Sequence, residues 1–379
     1  MKNPIYLDYN ATTPVDPAVL EVMLPFFKEH FGNPSSSHAY GKEAKEAVNK
    51  AREQTAKLIG AQTDEVVFTS GGTESNNHAI IGTALSHMDK GKHIISSKIE
   101  HPAVLETLQY LQDRFSFKIA YLPVDKYGMV NPSDVAHAIT PETVLITIMH
   151  ANNEVGTINQ IEEIGKVAKE KGVTFHTDAA QSCGKIPVDV EDLNVDLLTI
   201  AGHKLYAPKG IGALYIRSGT KLDKFIHGAG QEQGRRAGTE NTPYIVGLGK
   251  ACEIASSSLT FYVPNVKALR DRLHSNISDA LGVERVKLNG HPQKRLPNTL
   301  NISIEGIIGE ELLKRTPEIA ASTGSACHEG STKPSAVLLA MGISEKQALE
   351  ALRLSLGRWS TQEEIDEASQ LIVQHSRLK

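Results

Sequence analysis

The sequence has few of the features that mark secreted, membrane-spanning or metal-knuckle proteins. Its 379 residues include only three cysteines, Cys183, Cys252 and Cys327, which are far apart and odd in number. They make neither a disulfide framework nor a paired metal motif, as is typical of a reducing cytoplasm. No apolar run approaches the ~18 residues of a membrane span, and the first residues lack the apolar stretch of a signal peptide. We therefore expect a cytoplasmic protein.

A surplus of positive charge is also missing. The chain carries 40 basic and 44 acidic residues, a formal net charge of -4. This balance gives no electrostatic basis for direct binding to nucleic acid or to an anionic membrane. No internal repeat or low-complexity segment is present. The length is sufficient for one large domain and a smaller one.

The first two thirds of the chain alternate between strand and helix patterns. Strands are predicted at 65–68, 93–98, 117–124, 143–150, 173–178, 195–202 and 211–217, and helices at 42–59, 78–88, 101–115 and 161–171. The run 143–150 is nearly all apolar and β-branched, as in a strand covered on both faces. This alternation predicts an α/β fold with a mostly parallel sheet covered by helices.

The pattern changes after a glycine-rich loop at 227–243. A helix is predicted at 266–281, a strand at 296–304, a loop of small polar residues at 322–335 and a charged helix at 362–379. We interpret this part as a smaller α+β domain. The predicted division is a large domain of residues 15–255 and a small domain made of 1–14 and 256–379.

Two apolar runs between 174 and 210 each end in a functional group. Asp178 ends the first run, and Lys204 follows the second one, twenty-six residues later. Because open parallel sheets bind ligands at the carboxyl ends of their strands, we expect the two side chains to meet there. A lysine that forms a Schiff base and a carboxylate that keeps a ring nitrogen protonated are what pyridoxal phosphate requires. Taken singly, Lys204 could be a surface charge and Asp178 a helix cap.

Other segments fit an anionic cofactor with an aromatic ring. A strand, a Gly-Gly turn and a helix that begins near Thr73 form an anion site by geometry, since the helix end presents free N–H groups. His101 starts a predicted helix, where it could cap the helix, lie in the core or stack on a cofactor. Gly72, Thr73 and His203 are candidate phosphate contacts.

Cys327 lies in a setting unlike those of the other cysteines. The surrounding segment, Gly-Ser-Ala-Cys-His-Glu-Gly-Ser, has almost nothing to bury a thiol, and His328 is adjacent. An exposed thiol beside a histidine is expected to be reactive. Cys183 and Cys252 are in strand-to-turn and helical stretches, so we interpret them as structural. No further ligand lies at metal spacing from Cys327 and His328, which argues against a metal site there.

Ten ordered motifs carry a family resemblance between about residue 5 and residue 367. They are YLDYNATTP, FGNPSS, TSGGTESNN, EHPAV, HANNEVG, HTDAAQSCGK, GHKLYAPKGIGALY, GTEN, STGSAC and LRLSLGR. The chain resembles the cysteine desulfurase and selenocysteine lyase family, within the aminotransferase class V group of pyridoxal-phosphate enzymes. The resemblance implies a fold-type I transferase with a seven-stranded sheet, acting as a homodimer.

The resemblance also implies a role for each matching residue. Lys204 would hold the cofactor, Asp178 would pair with the pyridine nitrogen, and His101 would stack on the ring and move protons. Gln181 and Asn153 would contact the phenolic oxygen. The implied phosphate contacts are Gly72, Thr73 and His203, with Thr239 donated by the other subunit. The implied substrate contacts are Arg353, which would bind the substrate carboxylate, and its neighbour Asn33.

The chemistry implied for Cys327 is attack on the substrate's sulfur, which leaves L-alanine and a persulfide on Cys327. The sulfur would then pass to an acceptor or scaffold protein, in iron–sulfur cluster assembly or another sulfur-modification pathway. The alternatives are a selenocysteine lyase acting on L-selenocysteine, a desulfurase dedicated to DNA sulfur modification, a non-catalytic partner subunit and an ordinary aminotransferase. The stretches CHEG and GQEQGRRAGTENTPYIVGLGKA leave the subgroup open.

One departure from the family pattern concerns the expected phosphate site. Many members have serine three residues before the Schiff-base lysine, where this chain has Ala201. We therefore expect one side-chain hydrogen bond to the phosphate to be missing. Thr199 is on the same face of a regular strand and is a candidate to replace it.

Overall fold

The structure, a computed structural model, describes residues 3–324 and 333–377. Its strands are β1 (Ile5–Tyr6), β2 (Val66–Thr69), β3 (His93–Ser97), β4 (Lys118–Leu122), β5 (Thr143–Thr147), β6 (Thr174–Asp178), β7 (Leu197–Ala201), β8 (Gly212–Ile216), β9 (Val286–Leu288), β10 (Thr299–Ile304), β11 (Ile319–Ala320) and β12 (Ala351–Ser355). Short 3₁₀ turns lie at Thr63–Glu65, Gly202–Lys204 and Glu232–Gly234.

The helices in the same residues vary greatly in length. They are α1 (Pro17–Met23), α2 (Pro25–Lys28), α3 (Ala39–Leu58), α4 (Gly72–Ser86), α5 (Pro102–Phe115), α6 (Pro132–Ala138), α7 (Ile161–Lys171), α8 (Val190–Leu193), α9 (Thr242–Leu281), α10 (Gly309–Arg315), α11 (Ala336–Ala340), α12 (Glu345–Leu349) and α13 (Gln362–Ser376). None of these is long and apolar enough to cross a membrane.

A seven-stranded sheet in the order β2-β8-β7-β6-β5-β3-β4 forms the centre of the molecule. Neighbouring strands from β7 to β4 are parallel, whereas β8 is antiparallel to both β7 and β2. The strands β2, β3, β4, β5, β6 and β7 therefore run in one direction. The predicted α/β class with a mostly parallel sheet is confirmed.

Helices cover both faces of this sheet, as alternate strand residues show. Ile94 and Leu145 pack in one apolar cluster with residues of α4 and α5. Ile95 and Ile146 pack in another with residues of α3, α7 and α9. Because successive side chains of a strand point to opposite faces, these clusters lie on opposite sides of the sheet. All five residues of β5 are buried, as expected for a doubly covered strand.

A second apolar core surrounds a smaller antiparallel sheet in the order β12-β10-β9. The first residues of the chain join this core: Leu7 is fully buried in it, and β1 pairs in parallel with β11. The α+β character predicted for the carboxyl-terminal third is present.

The helix α9 contributes to both cores. The sequence predicts a helix at 266–281 and a helical stretch around Cys252, but α9 is continuous from Thr242 to Leu281 and contains Pro264. Its first part, including Leu248 and Ala255, packs in the large core, and Leu273 and Ile277 pack in the second core. The boundary predicted at 255/256 therefore falls inside a helix. The glycine and serine residues in its first half obscured the helical pattern.

Candidate active site

The carboxyl ends of five parallel strands meet at one edge of the sheet and line a cavity of ≈ 360 Å³. Each strand is followed by candidate residues: Gly72 and Thr73 after β2, His101 after β3, Asn153 after β5, Asp178 and Gln181 at and after β6, and His203 and Lys204 after β7. Arg353 reaches the same cavity from β12 of the smaller sheet. The placement agrees with the rule that open α/β sheets bind ligands at this edge.

Lys204 points into the cavity and is held by main-chain carbonyls. Its Nζ donates hydrogen bonds to the carbonyl oxygens of Asn10 and Ala11, both at 2.6 Å. Burial, and then the positive charge of Arg353, lower the pKa of Lys204 to about 8, although Asp8 and Asp178 act in the opposite direction. About a tenth of the amine is therefore neutral and nucleophilic at pH 7, far more than for an ordinary lysine. The surface-charge interpretation of Lys204 is wrong.

Asp178 is a buried carboxylate with no cationic partner among the described residues. Its Oδ1 accepts a hydrogen bond from the Ala180 N–H at 2.9 Å, the local contact that a capping aspartate makes. Its Oδ2 accepts one from Asn76 Nδ2 at 2.7 Å. The side chain of Asp178 also lines the cavity, where a protonated ring nitrogen would supply the missing positive charge.

His101 caps a helix and forms part of the cavity wall. It is the N-cap of α5, and its Nδ1 accepts a hydrogen bond from the Ala103 N–H at 3.1 Å. This contact requires an unprotonated Nδ1, so any ring proton is on Nε2. Burial lowers the pKa of His101, as does Lys204, while Asp178 raises it. The two sequence interpretations, cap and cofactor contact, are compatible at this position.

The start of α4 provides the predicted anion site. Gly71 precedes the helix with φ 151°, a conformation that favours glycine, and the first-turn N–H groups of this fifteen-residue helix face the cavity edge. His203, which also lines the cavity, contacts Thr12 Oγ1 through Nδ1 at 3.2 Å. Burial and neighbouring lysines lower the pKa of His203 to about 4, so it is neutral at physiological pH.

Ala201 also lines the cavity, beside this anion site. A Cβ built on Gly72 would lie 3.2 Å from the Ala201 Cβ, which shows how closely the two segments approach. Thr199 does not take over the role of a serine at 201. Its Oγ1 is fully buried and bonds His176 Nε2 at 3.1 Å, so it is not available to a ligand. The expectation that one phosphate contact is missing stays a prediction.

Arg353 lies where a guanidinium can bind a substrate carboxylate. It is 6% exposed, and its NH2 group donates to Asp8 Oδ1 at 2.7 Å while NH1 donates to the Asn153 carbonyl at 3.3 Å. Its Nε is buried without a partner among the described residues. One side of the guanidinium fork is thus fixed by Asp8, and its remaining N–H donors are available for an anion.

Two of the predicted site residues, Asn33 and Thr239, do not line this cavity. Asn33 is exposed, and its Oδ1 accepts a hydrogen bond from the Ser35 N–H. Thr239 is exposed at the surface of this subunit, so only a second subunit could use it as predicted. Cys327, with His328, lies outside the described residues. The other two cysteines, Cys183 and Cys252, are fully buried, and burial raises the pKa of each thiol.

Asn76 and Asn10 form hydrogen bonds with the predicted site residues, although neither of them was assigned to the site from the sequence. Asn76 holds Asp178, and its own Oδ1 is buried without a partner among the described residues. Asn10 accepts hydrogen bonds from Lys204 and Gln181 through its carbonyl oxygen. Asn76 lies one helical turn after Gly72, so the spacing on α4 could have indicated it. Asn10 lies in the motif YLDYNATTP, but nothing in that motif indicates its contacts.

The residues present fit pyridoxal phosphate. A helix amino terminus faces one side of the cavity, an unpaired buried carboxylate lies at its base, and a lysine of lowered pKa faces both. The chain belongs to the aminotransferase class-V family, whose model matches residues 5–368. Members of this family use pyridoxal phosphate, so the predicted cofactor is confirmed at the level of the family.

Three known proteins illustrate the relationship. The chain is 51% identical over 370 residues to the cysteine desulfurase IscS of Methanosarcina thermophila, covering 97% of this chain and 91% of that protein. Its fold matches a NifS-like protein with a TM-score of 0.91, 39% identity and 98% coverage of each chain. It also matches SspA in complex with cysteine, with a TM-score of 0.81, 41% identity and coverage of 94% and 99%.

Proposed function

We propose that this protein is a pyridoxal-phosphate-dependent cysteine desulfurase that converts L-cysteine to L-alanine. The observation that carries the proposal is one cavity that contains Lys204, Asp178 and Arg353, in a chain 51% identical to a protein named as a cysteine desulfurase. A solved relative, SspA in complex with cysteine, supports the same substrate.

Each side chain has a distinct task in this reaction. Bound pyridoxal phosphate supplies an aldehyde for an amine and a protonated ring that withdraws electrons, which weakens the Cβ–Sγ bond of the substrate. Asp178 holds a proton at the ring nitrogen, and Arg353 orients the substrate by its carboxylate. The Lys204 amine, neutral in part at pH 7, binds the aldehyde and moves a proton at the substrate's Cα.

Sulfur leaves the substrate through Cys327. The Cys327 thiolate forms an S–S bond with the substrate's Sγ as the Cβ–Sγ bond breaks, and the bonding electron pair stays with Cβ. A proton then converts that carbon into the methyl group of alanine, and Cys327 holds a persulfide. This role rests on the sequence around Cys327, which has the composition of an exposed loop. An acceptor or scaffold protein takes the sulfur, in iron–sulfur cluster assembly or another sulfur-modification pathway.

The remaining site assignments are proposals of the same kind. His101 stacks on the cofactor, Gln181 and Asn153 contact its phenolic oxygen, and Asn33 lies near the substrate. Gly72, Thr73 and His203 bind the phosphate together with Thr239 of a second subunit, so that the enzyme is a homodimer. We also propose a cytoplasmic location, and a large and a small domain supported by the two separate cores.

Alanine release from L-cysteine and from L-selenocysteine, measured under one set of conditions, tests the function. We expect turnover of L-cysteine by wild-type protein, loss of the visible cofactor band in Lys204→Ala, and loss of persulfide in Cys327→Ser. Cys252→Ala is the matched control, because that buried thiol has no task in the reaction. Near-total preference for selenocysteine, or full sulfur transfer by Cys327→Ser, would refute the proposal.

A further inference from the structure

Lys185 is a buried amine that no step of the reaction uses. It is 4% exposed, and among the described residues its Nζ donates to two amide oxygens and to no carboxylate. The charged groups that act on it are Lys204 and Arg353, both positive, and with burial they lower its pKa. Burying an unpaired amine beside two cations is costly, which indicates a specific task for this position.

The contacts of Lys185 show where it acts. Its Nζ donates hydrogen bonds to Gln181 Oε1 at 2.6 Å and to Asn10 Oδ1 at 3.2 Å. Lys185 does not itself line the cavity, whereas Gln181 and Asn10 do. Asn10 is in turn the residue whose carbonyl oxygen accepts from Lys204. Lys185 therefore lies directly behind two residues that contact the reacting part of the site.

The backbone brings Lys185 to this place through a tight turn after β6. Gly184, with φ 72°, lies so close to Leu205 that a Cβ at this position would be 2.2 Å from Leu205 Cδ2. The N–H of Lys185 donates to the carbonyl of Ser182, which closes the turn. The turn therefore requires glycine, and it places Lys185 four residues after Gln181 on the same side.

The amine determines which end of the Gln181 amide faces the cavity. Lys185 donates to Gln181 Oε1 and Asn10 Oδ1, and the Asn10 carbonyl can only accept, so the Gln181 amide lies with Oε1 toward Lys185 and Nε2 toward Asn10. The Gln181 Nε2 group then donates one N–H to the Asn10 carbonyl at 3.0 Å and has a second N–H left. That second N–H is a donor for an acceptor atom within the cavity.

We propose that Lys185 is a positioning residue that fixes Gln181 as a hydrogen-bond donor to the cofactor's phenolic oxygen. This inference rests on the proposed function, in which Gln181 contacts that oxygen. Without Lys185, Gln181 Oε1 loses its buried donor and the amide is held only by the Nε2 contact with the Asn10 carbonyl, which favours rotation of Oε1 toward the cavity. A donated N–H stabilises the anionic form of a phenolic oxygen, so its loss raises the pH at which the bound cofactor changes its absorbance.

A pH titration of the visible absorbance of the reconstituted protein tests the inference. We expect Lys185→Met to raise the midpoint by about 0.5–1 pH unit, the effect of one neutral hydrogen bond. Gln181→Leu should raise it by a similar amount, and the double variant should match Gln181→Leu alone, because Lys185 acts through Gln181. A wild-type midpoint in Lys185→Met, or shifts that add in the double variant, would overturn the inference.

Two further variants separate this role from general support of the site. Asn298→Ala removes the other side-chain donor to Asn10 Oδ1 and leaves the contact between Lys185 and Gln181 intact, so it should not move the midpoint. An equal shift in Asn298→Ala would show that Lys185 acts through Asn10 and would refute the role assigned to Gln181. Lys185→Gln keeps an N–H donor, so its midpoint should shift less than that of Lys185→Met. If Lys185→Met does not fold, Lys185→Gln takes its place in the comparison with Gln181→Leu.

The pH titration can fail or succeed independently of the desulfurase activity. A wild-type protein that gains a visible band with pyridoxal phosphate but releases no alanine would refute the desulfurase activity and leave the titration fully informative. A wild-type protein that gains no visible band would overturn both. Binding of pyridoxal phosphate to the apo-protein variants, followed by fluorescence, provides a second readout: weaker binding by Lys185→Met than by Asn298→Ala is expected.

Discussion

The amine of Lys204 has to be neutral before it can react with an aldehyde. Its burial, and then the positive charge of Arg353, favour the neutral form, and its pKa is lowered to about 8. An ordinary lysine titrates near 10.4 and would be almost wholly charged at pH 7. Desolvation by burial contributes more to the lowered pKa of Lys204 than any single neighbouring charge does.

The rate of cofactor capture by the apo-protein should follow this titration. Because only the neutral amine is nucleophilic, the rate should fall about tenfold per pH unit below ~8 and reach a plateau above it. Stopped-flow absorbance after mixing with pyridoxal phosphate measures the rate. Asp8→Asn should move the midpoint to lower pH, because Asp8 raises the pKa of Lys204. A midpoint near 10 in the wild-type protein would contradict the prediction.

The side chain at 201 should set the strength of phosphate binding. In Ala201→Ser, a hydroxyl group is added at the edge of the cavity beside Gly72, where it can donate to the phosphate. One such hydrogen bond corresponds to about a threefold to tenfold lower dissociation constant. Equilibrium dialysis of the apo-protein against pyridoxal phosphate measures it. Ala180→Ser, at the Asp178 side of the cavity, should leave the constant unchanged.

At the scale of elements, a buried ion pair fixes the loop that carries Thr239. Both NH groups of Arg52 in α3 donate to the carboxylate of Glu232, at 2.7 and 2.8 Å, and the Phe68 N–H in β2 donates to it as well. Glu232 and Gln233 have φ values of 48° and 58°, unusual for residues other than glycine. The ion pair holds the loop against the strand that leads to the phosphate site.

Removal of one partner of this ion pair should destabilise the protein strongly. Glu232→Ala removes both hydrogen-bonded contacts of the buried Arg52 guanidinium with a carboxylate and leaves only the longer ion pair with Glu240 at 3.9 Å. The expected loss in the free energy of unfolding is about 3 kcal/mol, the lower end for a broken buried ion pair. Glu191→Ala breaks the exposed contact with Arg217 and should cost about 0–1 kcal/mol. Urea unfolding of the two apo-proteins measures the difference. Equal losses of unfolding free energy in the two variants would show that the buried ion pair stabilises the protein no more than the exposed one.

Sequence periodicity predicted the strands of the large sheet, but it did not predict the full extent of a helix that packs in two different cores. Strand β5, buried on both faces, and helix α5, with one apolar face, follow simple patterns. Helix α9 changes partners along its length, so no single periodicity runs through it. The positions of Asp178 and Lys204 at strand ends were predicted from the sequence pattern, whereas Asn153 and Gln181 were indicated only by the family resemblance. Asn10 was not predicted, since its contacts depend on residues as distant as Ser355.

At the scale of the whole molecule, the site depends on both sheets and, by our proposal, on two subunits. Asn10 connects the two sheets, because its Nδ2 donates to Thr299 Oγ1 in β10 of the small sheet and to the Asn153 carbonyl, which follows β5 of the large sheet. Arg353 crosses from the small sheet into the cavity in the same way. Thr239 is exposed on its own subunit, as it must be if it contacts the phosphate in the site of a second subunit.

Mixed dimers should reveal whether Thr239 acts across the subunit interface. In a dimer of one Lys204→Ala chain and one Thr239→Ala chain, one site combines Lys204 with a native Thr239 from the partner. This site should bind pyridoxal phosphate with wild-type affinity, whereas Thr239→Ala homodimers should bind it several-fold more weakly. Tandem-affinity purification and absorbance titration measure both. If Thr239 serves its own subunit, the mixed dimer will retain only the weaker binding.

The contacts of the amino-terminal segment also determine when the site can form during synthesis. Asn10 and Ser355 are joined by a hydrogen bond although they lie 345 residues apart in the chain. A ribosome that adds about 5–20 residues per second leaves roughly 20–70 s between the emergence of the two. The parallel strands that present Lys204 and Asp178 emerge well before β12. The nascent chain therefore exposes an incomplete cofactor pocket, and a complete pocket forms only after β12 has been synthesised.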